Sequence, residues 1–207
     1  KKGQHKLPPI DGDFYNLSRN LTDKQREVQM KVRNFMEDEV QPIANDYWNR
    51  AEFPHDLIPK FAALNIAGVA YQGYDCPGMD FITEGIIAEE IARVDVSIST
   101  FFGVHSGLAM GSIYLCGSEE QKKEWLPQMA RMEKIGAFGL TEPEVGSGIA
   151  GGMETTCKFD GENWILNGQK KWIGNATFAD VIILWARDVD SNQVKGFLIR
   201  KGNPGFH

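Results

Sequence analysis

Cysteine is scarce in this chain. The three present, Cys76, Cys116 and Cys157, are odd in number and far apart in a sequence of 207 residues. No Cys-x-x-Cys pair and no Cys/His cluster occurs, so neither a disulfide framework nor a zinc site is supported, and a reducing compartment is the expected home. Positive charge is also in deficit. Lys and Arg total 22 against 28 Asp and Glu, for a net charge of −6 and a pI near 5.3, which argues against a nucleic-acid groove. An acidic total does not exclude an anionic ligand, because phosphates are held by local backbone N–H groups and helix ends. There is no signal-peptide pattern, no repeat, no low-complexity tract and no run read as the ~18 apolar residues of a membrane span. A soluble intracellular protein is expected, without distinction between cytoplasm, mitochondrial matrix and peroxisome. The chain opens at Lys1 and stops at His207 just after Pro204-Gly205, and both ends read as trimmed.

What is present is an ordinary globular balance of 42% hydrophobic and 24% charged residues, enough for one large domain or two small ones. Residues 1–20 mix charge with Pro8-Pro9 and Gly12 and read as a flexible lead-in. Thr22-Asp23-Lys24-Gln25 fits a capping box. Val28, Val32, Phe35, Met36 and Val40 follow as the stripe of an amphipathic helix, which Pro42 should kink or end. A second helix is predicted over residues 56–64. Gly73 and Gly78, with Cys76-Pro77 between, mark a loop. Residues 81–94 read as a helix with Ile82, Ile86, Ile87 and Ile91 on one face. Residues 97–116 are nearly uncharged, as in a helix buried on most sides, and Gly117 supplies its stop. Ser118-Glu119-Glu120-Gln121 is a second capping box.

After residue 132 the texture changes. Residues 136–140 and 153–159 read as strands, Asp160-Gly161 turns into Trp164-Ile165-Leu166, and Asn167-Gly168 turns again. Residues 181–186 and 195–200 are further strands. Helices first and strands after give an α+β class by segregation. The expected organisation is a lead-in at 1–20, a helical domain at 21–132 and a β-domain at 133–207.

Two stretches carry candidate chemistry. Phe138-Gly139-Leu140-Thr141-Glu142-Pro143-Glu144-Val145-Gly146-Ser147 runs from a strand into a sharp turn, offering hydroxyls and free N–H groups to a polar heterocycle or a pyrophosphate. Asn167-Gly168-Gln169-Lys170-Lys171-Trp172-Ile173-Gly174-Asn175 can lay a flat ring and bare peptide groups beside a planar ligand. Taken singly, the first also reads as a plain surface turn and Trp172 as a core anchor.

In this order and spacing the two stretches resemble the acyl-CoA dehydrogenase and acyl-CoA oxidase superfamily. The likeness runs from Leu21 to the end and includes Ala92-Arg93-Val94-Asp95 and Gly117-Ser118-Glu119-Glu120-Gln121-Lys122. It is nearest in character to glutaryl-CoA dehydrogenases and plant short-chain acyl-CoA oxidases. The resemblance implies an all-α domain followed by the first part of a β-barrel or sandwich middle domain, with a C-terminal helical domain missing. It implies FAD as cofactor and Phe138, Leu140, Thr141, Gly146, Ser147, Trp172, Ile173 and Gly174 as cofactor-binding residues. Thr141 would bond the flavin's pyrimidine edge, and Ser147 would sit where the FAD phosphates and the acyl-CoA come close. The implied reaction oxidises an acyl-CoA to its trans-2-enoyl-CoA. Electrons would pass to an electron-transfer flavoprotein in a dehydrogenase or to oxygen in an oxidase, and relatives are usually homotetramers.

Three departures bear on this. Gly174 stands where many relatives carry Thr, which keeps oxygen open as acceptor. Gly148 replaces the usual Asp. Ser99 stands where glutaryl-CoA dehydrogenases place an Arg; without that cation a second carboxylate would lie unpaired, so a short-chain acyl thioester is favoured. The family's catalytic Glu would lie beyond His207, so the 207 residues alone are expected to be inactive, and no metal site is expected. A non-catalytic flavin- or CoA-binding fragment or paralogue is the rival reading. Glu142 and Glu144 read as solvated loop acids, His105 as a satisfied core histidine, and Phe101, Phe102, Leu108 and Met110 as either core or acyl-pocket lining.

Overall fold

The computed structural model describes residues 13–207. The first part of the expected lead-in lies outside that range. The remainder is not featureless: Leu17–Asn20 forms a 3-10 turn. The Asp13 carboxylate accepts the N–H groups of Leu17 and Ser18 at 2.6 and 2.9 Å, and Arg26 donates to the Ser18 carbonyl at 2.9 Å. Short-range Asp and Ser capping holds this turn where periodicity gives no signal.

Helix α1 (Asp23–Phe35) starts at the expected capping box, with Thr22 and Gln25 bonding each other's backbone N–H. Pro42 does not end it. The chain widens into a π-turn, Met36–Val40, and continues as α2 (Gln41–Arg50) with Pro42 in its first turn. The Gln41 N–H reaches back five residues to the Met36 carbonyl, so one wider turn lets the proline ring join without breaking the helix. Helix α3 (Leu57–Leu64) buries Leu57, Phe61 and Leu64. Helix α4 (Phe81–Val94), capped by Asp80, buries Ile86, Ile87 and Ile91. Ile82 departs from the expected face and stays exposed.

The apolar segment after α4 folds as α5 (Val96–Phe102), a π-turn Gly103–Ala109, and α6 (Met110–Cys116). Contrary to the reading that no run suffices, Val96–Cys116 is long and apolar enough to cross a membrane by length and composition; half of its most apolar window is buried inside this fold. Gly117 ends it by close approach rather than by left-handed backbone, since a Cβ there would meet the Ile113 carbonyl at 2.6 Å. Helix α7 (Glu119–Ala130) opens on the second capping box.

Five strands follow: β1 (Gly136–Gly139), β2 (Thr156–Phe159), β3 (Trp164–Asn167), β4 (Val181–Asp188) and β5 (Val194–Arg200). A four-residue helix, α8 (Ile149–Gly152), which the sequence did not signal, sits between β1 and β2. Strand β5 runs antiparallel along one edge of β4 over Val181–Arg187. The other edge is shared: β1 pairs in parallel with residues 181–184 and β2 with residues 187–188. The chain therefore leaves that edge after Gly139 and rejoins it near Thr155, and the loop between carries the first candidate stretch.

Alternation along β4 splits the sheet into two faces. Val181 and Ile183 join the main core with Phe61, Ile91, Met110 and Leu126 from the helices. Ile182 faces the other way, with Ala137, Ala179 and Ile199 and, around them, Leu166, Ile173, Ala176 and Leu184. Each fully buried side chain of this size contributes about 1.5–3 kcal/mol.

Candidate functional site

The two candidate stretches meet. The Lys171 N–H donates to the Thr141 carbonyl at 2.9 Å. One residue back, the Lys170 ammonium donates to the Leu140 carbonyl at 3.0 Å and to Glu142 Oε1 at 2.8 Å. Glu142 also accepts the backbone N–H groups of Glu154 at 2.6 Å and Thr155 at 2.9 Å. The Thr155 hydroxyl donates to the Gln169 carbonyl at 3.4 Å. A buried ion pair thus clasps the loop after β1, the entry to β2 and the segment after β3.

This overturns the reading of Glu142 as a solvated loop acid. Its side chain is 1% exposed and that of Lys170 is 7% exposed. Burial pushes the Glu142 carboxyl up, but the Lys170 ammonium and the hydrogen bonds from Thr155 and Glu154 outweigh it and hold the group down at about 2. Burial lowers Lys170, with Glu142 opposing. Such a pair is costly to desolvate, and removing either partner strands a buried charge. Glu144, in contrast, is exposed as expected.

A second tie sets the far end of the Trp172 stretch. Asn175, itself buried with φ 66°, donates through Nδ2 to the carbonyls of Phe101 and Gly136, both at 3.1 Å. One amide thereby joins the long apolar helix to the first strand. Between the clasp and this anchor lies Trp172 in the left-handed region, φ 58°. A bulky aromatic there is an outlier that persists only where its surroundings fix it. The core-anchor alternative is excluded, because Trp172 is 82% exposed. The Lys171 ammonium lies 4.7 Å from its ring centroid.

The remaining candidates are distributed unevenly. Phe138 is half-buried on β1, its ring 6.2 Å from that of Trp185. The Trp185 indole N–H is the single buried side-chain polar atom without a partner among the described residues. Leu140 and Thr141 take part through their carbonyls, and the Thr141 hydroxyl has no protein partner among the described residues. Gly146 and Ser147 are exposed on the turn before α8, with no bond to the Trp172 stretch. Gly148 precedes α8 and its carbonyl accepts from Gly151 and Gly152. Ile173 turns away from Trp172 into the second apolar cluster. Gly174 lies against the helical layer, where a Cβ would sit 3.2 Å from Val104 in the π-turn. Ser99 is half-buried on α5.

A cleft of about 810 Å³ opens on the sheet's second face, lined by Gly139, Leu166, Ile173, Ile182, Leu184 and Ile199 among others. Gly139 of the first stretch, Gly168, Lys170 and Ile173 of the second and Thr155 of the clasp all line it, whereas Thr141, Ser147 and Trp172 do not. Among the described residues no group of His, Cys, Asp and Glu has the arrangement to hold a metal.

His105 is the satisfied core histidine the sequence suggests. It is fully buried, with Nε2 2.9 Å from the Met129 carbonyl and Nδ1 accepting the Gly136 N–H at 3.1 Å. These partners place its proton on Nε2. Burial pushes its pKa down to about 4, partly offset by the Met129 carbonyl. Phe101, Phe102 and Met110 are core, while Leu108 is exposed.

Sequence reasoning missed Lys170, Glu142, Asn175 and Val104 as parts of the arrangement. Lys170, Glu142 and Asn175 lay inside the quoted stretches, but their pairing spans 28 and 39 residues. Val104 carried no sequence signal.

Comparison with known proteins supplies the family. The acyl-CoA dehydrogenase N-terminal domain model matches residues 22–133, and the middle domain model matches residues 137–207. The short-chain-specific acyl-CoA dehydrogenase of Clostridium acetobutylicum is 34% identical over 191 residues, covering 90% of this chain and 50% of that protein. A glutaryl-CoA dehydrogenase from Mycobacterium smegmatis, solved in complex with FADH2, aligns with TM-score 0.88 and 39% identity over 93% of this chain and 49% of its own. Butyryl-CoA dehydrogenase from Megasphaera elsdenii aligns with TM-score 0.83 and 28% identity over 90% and 50%. The chain spans about half the length of these relatives. It belongs to the acyl-CoA dehydrogenase family, as that family's N-terminal helical domain followed by its middle domain.

Proposed function

We propose that this chain carries much of the flavin site of an FAD-dependent enzyme that oxidises an acyl-CoA to its trans-2-enoyl-CoA. One observation carries the reading. The Thr141 and Trp172 stretches are clasped side by side, leaving an unpartnered Thr141 hydroxyl and a tryptophan 82% exposed on left-handed backbone. A protein with no use for that surface would not hold a large aromatic outside its core in a strained conformation. When bound, FAD supplies the two-electron acceptor; the residues of this chain bind, orient and polarise. Thr141 offers its hydroxyl to the pyrimidine edge, Trp172 and Gly174 border the ring, and Ser147 lies toward the phosphates and the thioester.

Glu142 is not the general base that takes the α-proton. Both oxygens of Glu142 are committed, and a carboxyl held near 2 is a poor base near neutrality. Ser99, half-buried where a cation would hold a distal carboxylate, favours an uncharged short acyl chain over glutaryl-CoA. A protein acceptor such as an electron-transfer flavoprotein fits the dehydrogenase reading. An oxidase is the second reading, favoured by Gly174, which brings no hydroxyl. The test is the full-length gene product. A yellow protein that releases FAD on denaturation and bleaches with butyryl-CoA under nitrogen supports the assignment, and colourless protein that takes up no FAD ends it. Peroxide formed in air without added acceptor selects the oxidase.

A further inference from the structure

The buried charge pair poses a physical question. An apolar pair of similar volume would avoid the desolvation cost but would leave the Glu154 and Thr155 N–H groups and the Leu140 carbonyl without these partners. What an apolar pair cannot do is act on the peptide beside Thr141. The Lys170 ammonium bonds the Leu140 carbonyl at 3.0 Å. That carbonyl and the Thr141 N–H are two ends of one peptide unit. A cation on the oxygen withdraws electron density from the amide and makes its N–H a stronger donor, and low local dielectric enlarges the effect. The next peptide is drawn the same way, because the Thr141 carbonyl accepts the Lys171 N–H at 2.9 Å. The Thr141 N–H has no protein acceptor among the described residues.

We propose that Lys170 is a positioning residue that tunes the flavin seat, polarising the Leu140–Thr141 peptide so that the Thr141 N–H favours reduced over oxidised flavin. The inference rests on the flavin reading above. Reduction puts negative charge on the pyrimidine side of the ring, and a preorganised donor aimed there stabilises that form more than the neutral one. Glu142 sets the strength of the effect. It holds the ammonium in place and cancels part of its field. The two partners therefore act in opposite senses on the flavin, though both support the fold.

The experiment is a potentiometric titration of FAD bound to the full-length gene product, with FAD affinity followed by fluorescence quenching and folding by thermal melting. Lys170→Met combined with Glu142→Gln avoids stranding a charge. This double variant should lower the preference for reduced over oxidised flavin about tenfold, equivalent to about 30 mV for a two-electron couple. Lys170→Arg should restore the native preference, and Glu142→Gln alone should raise it. If the double variant keeps the native preference while only its melting point falls, or if both alterations shift it in one direction, the clasp is structural and the proposal is overturned. Wild-type protein that binds no FAD removes the flavin reading and this inference with it. Thr141→Val keeps the backbone N–H and should keep the native preference, whereas FAD binding whose potential is unchanged in a folded Thr141→Pro, which lacks the N–H, overturns the inference while keeping the cofactor.

Discussion

The helical layer ties helices to one another and the end of the sheet ties loops, and the difference bears on where a ligand seat can form. In the helices the interior is largely aliphatic and aromatic, with Phe61, Met36, Ile91, Met110 and Leu126 at or below 1% exposure, and its buried Glu90 and His105 are partnered by Arg33 and Arg93 and by Met129 and Gly136. Such a core is close-packed and leaves no space for a ligand. At the end of β1 the buried carboxylate and the ammonium tie together loops rather than helices, and an asparagine amide ties a loop to α5 and β1. Polar clasps fix backbone in conformations that apolar packing would not choose, and the left-handed Trp172 lies between two of them.

Four experiments break or sharpen this contrast, beginning with the largest effect. Phe61→Ala removes a ring packed against Phe35 and Phe102 and should cost about 3–5 kcal/mol in denaturant unfolding. Next is acid. The folded His105 pKa of about 4 lies below its unfolded value near 6.5, so the unfolded state binds the extra proton between them. The histidine's contribution is fully present above about 6.5 and is lost as pH falls through 4, a decline of about 3 kcal/mol. His105→Gln should flatten that part of the stability–pH curve. Asn175→Ala strands two carbonyls and should cost about 2 kcal/mol. Its sharper mark is increased mobility of Trp172, read as a loss of tryptophan fluorescence anisotropy beyond any change in melting point. Thr22→Ala removes one cap and should cost about 1 kcal/mol, with no change at Trp172. Equal effects of the last two on Trp172 would erase the distinction between the layers.

Much of the architecture was legible beforehand because it follows from neighbours in sequence. Capping boxes at Thr22 and Ser118 and apolar spacing in α3 and α4 are local signals, and local physics met them. The misses have separate causes. Pro42 was expected to kink or end the helix; it does not end it, and a π-turn just before it widens the helix to admit the ring. Ile82 fits the apolar stripe yet remains exposed. Residues 13–20 looked plain because one aspartate orders them.

The site divides along the same line. The sequence alone determined that a helical domain precedes a sheet, that the stretches around Thr141 and Trp172 belong together, and which family they mark, because spacing and residue type survive without coordinates. Only the tertiary structure decided that Glu142 is a buried partner of Lys170 rather than a solvated acid, that Asn175 bolts the sheet to the long helix, and that Trp172 stands outside the core. Whether a charge is screened by water or buried beside its opposite depends on what the fold brings within 3 Å, and residues 28 positions apart carry no local sign of that meeting.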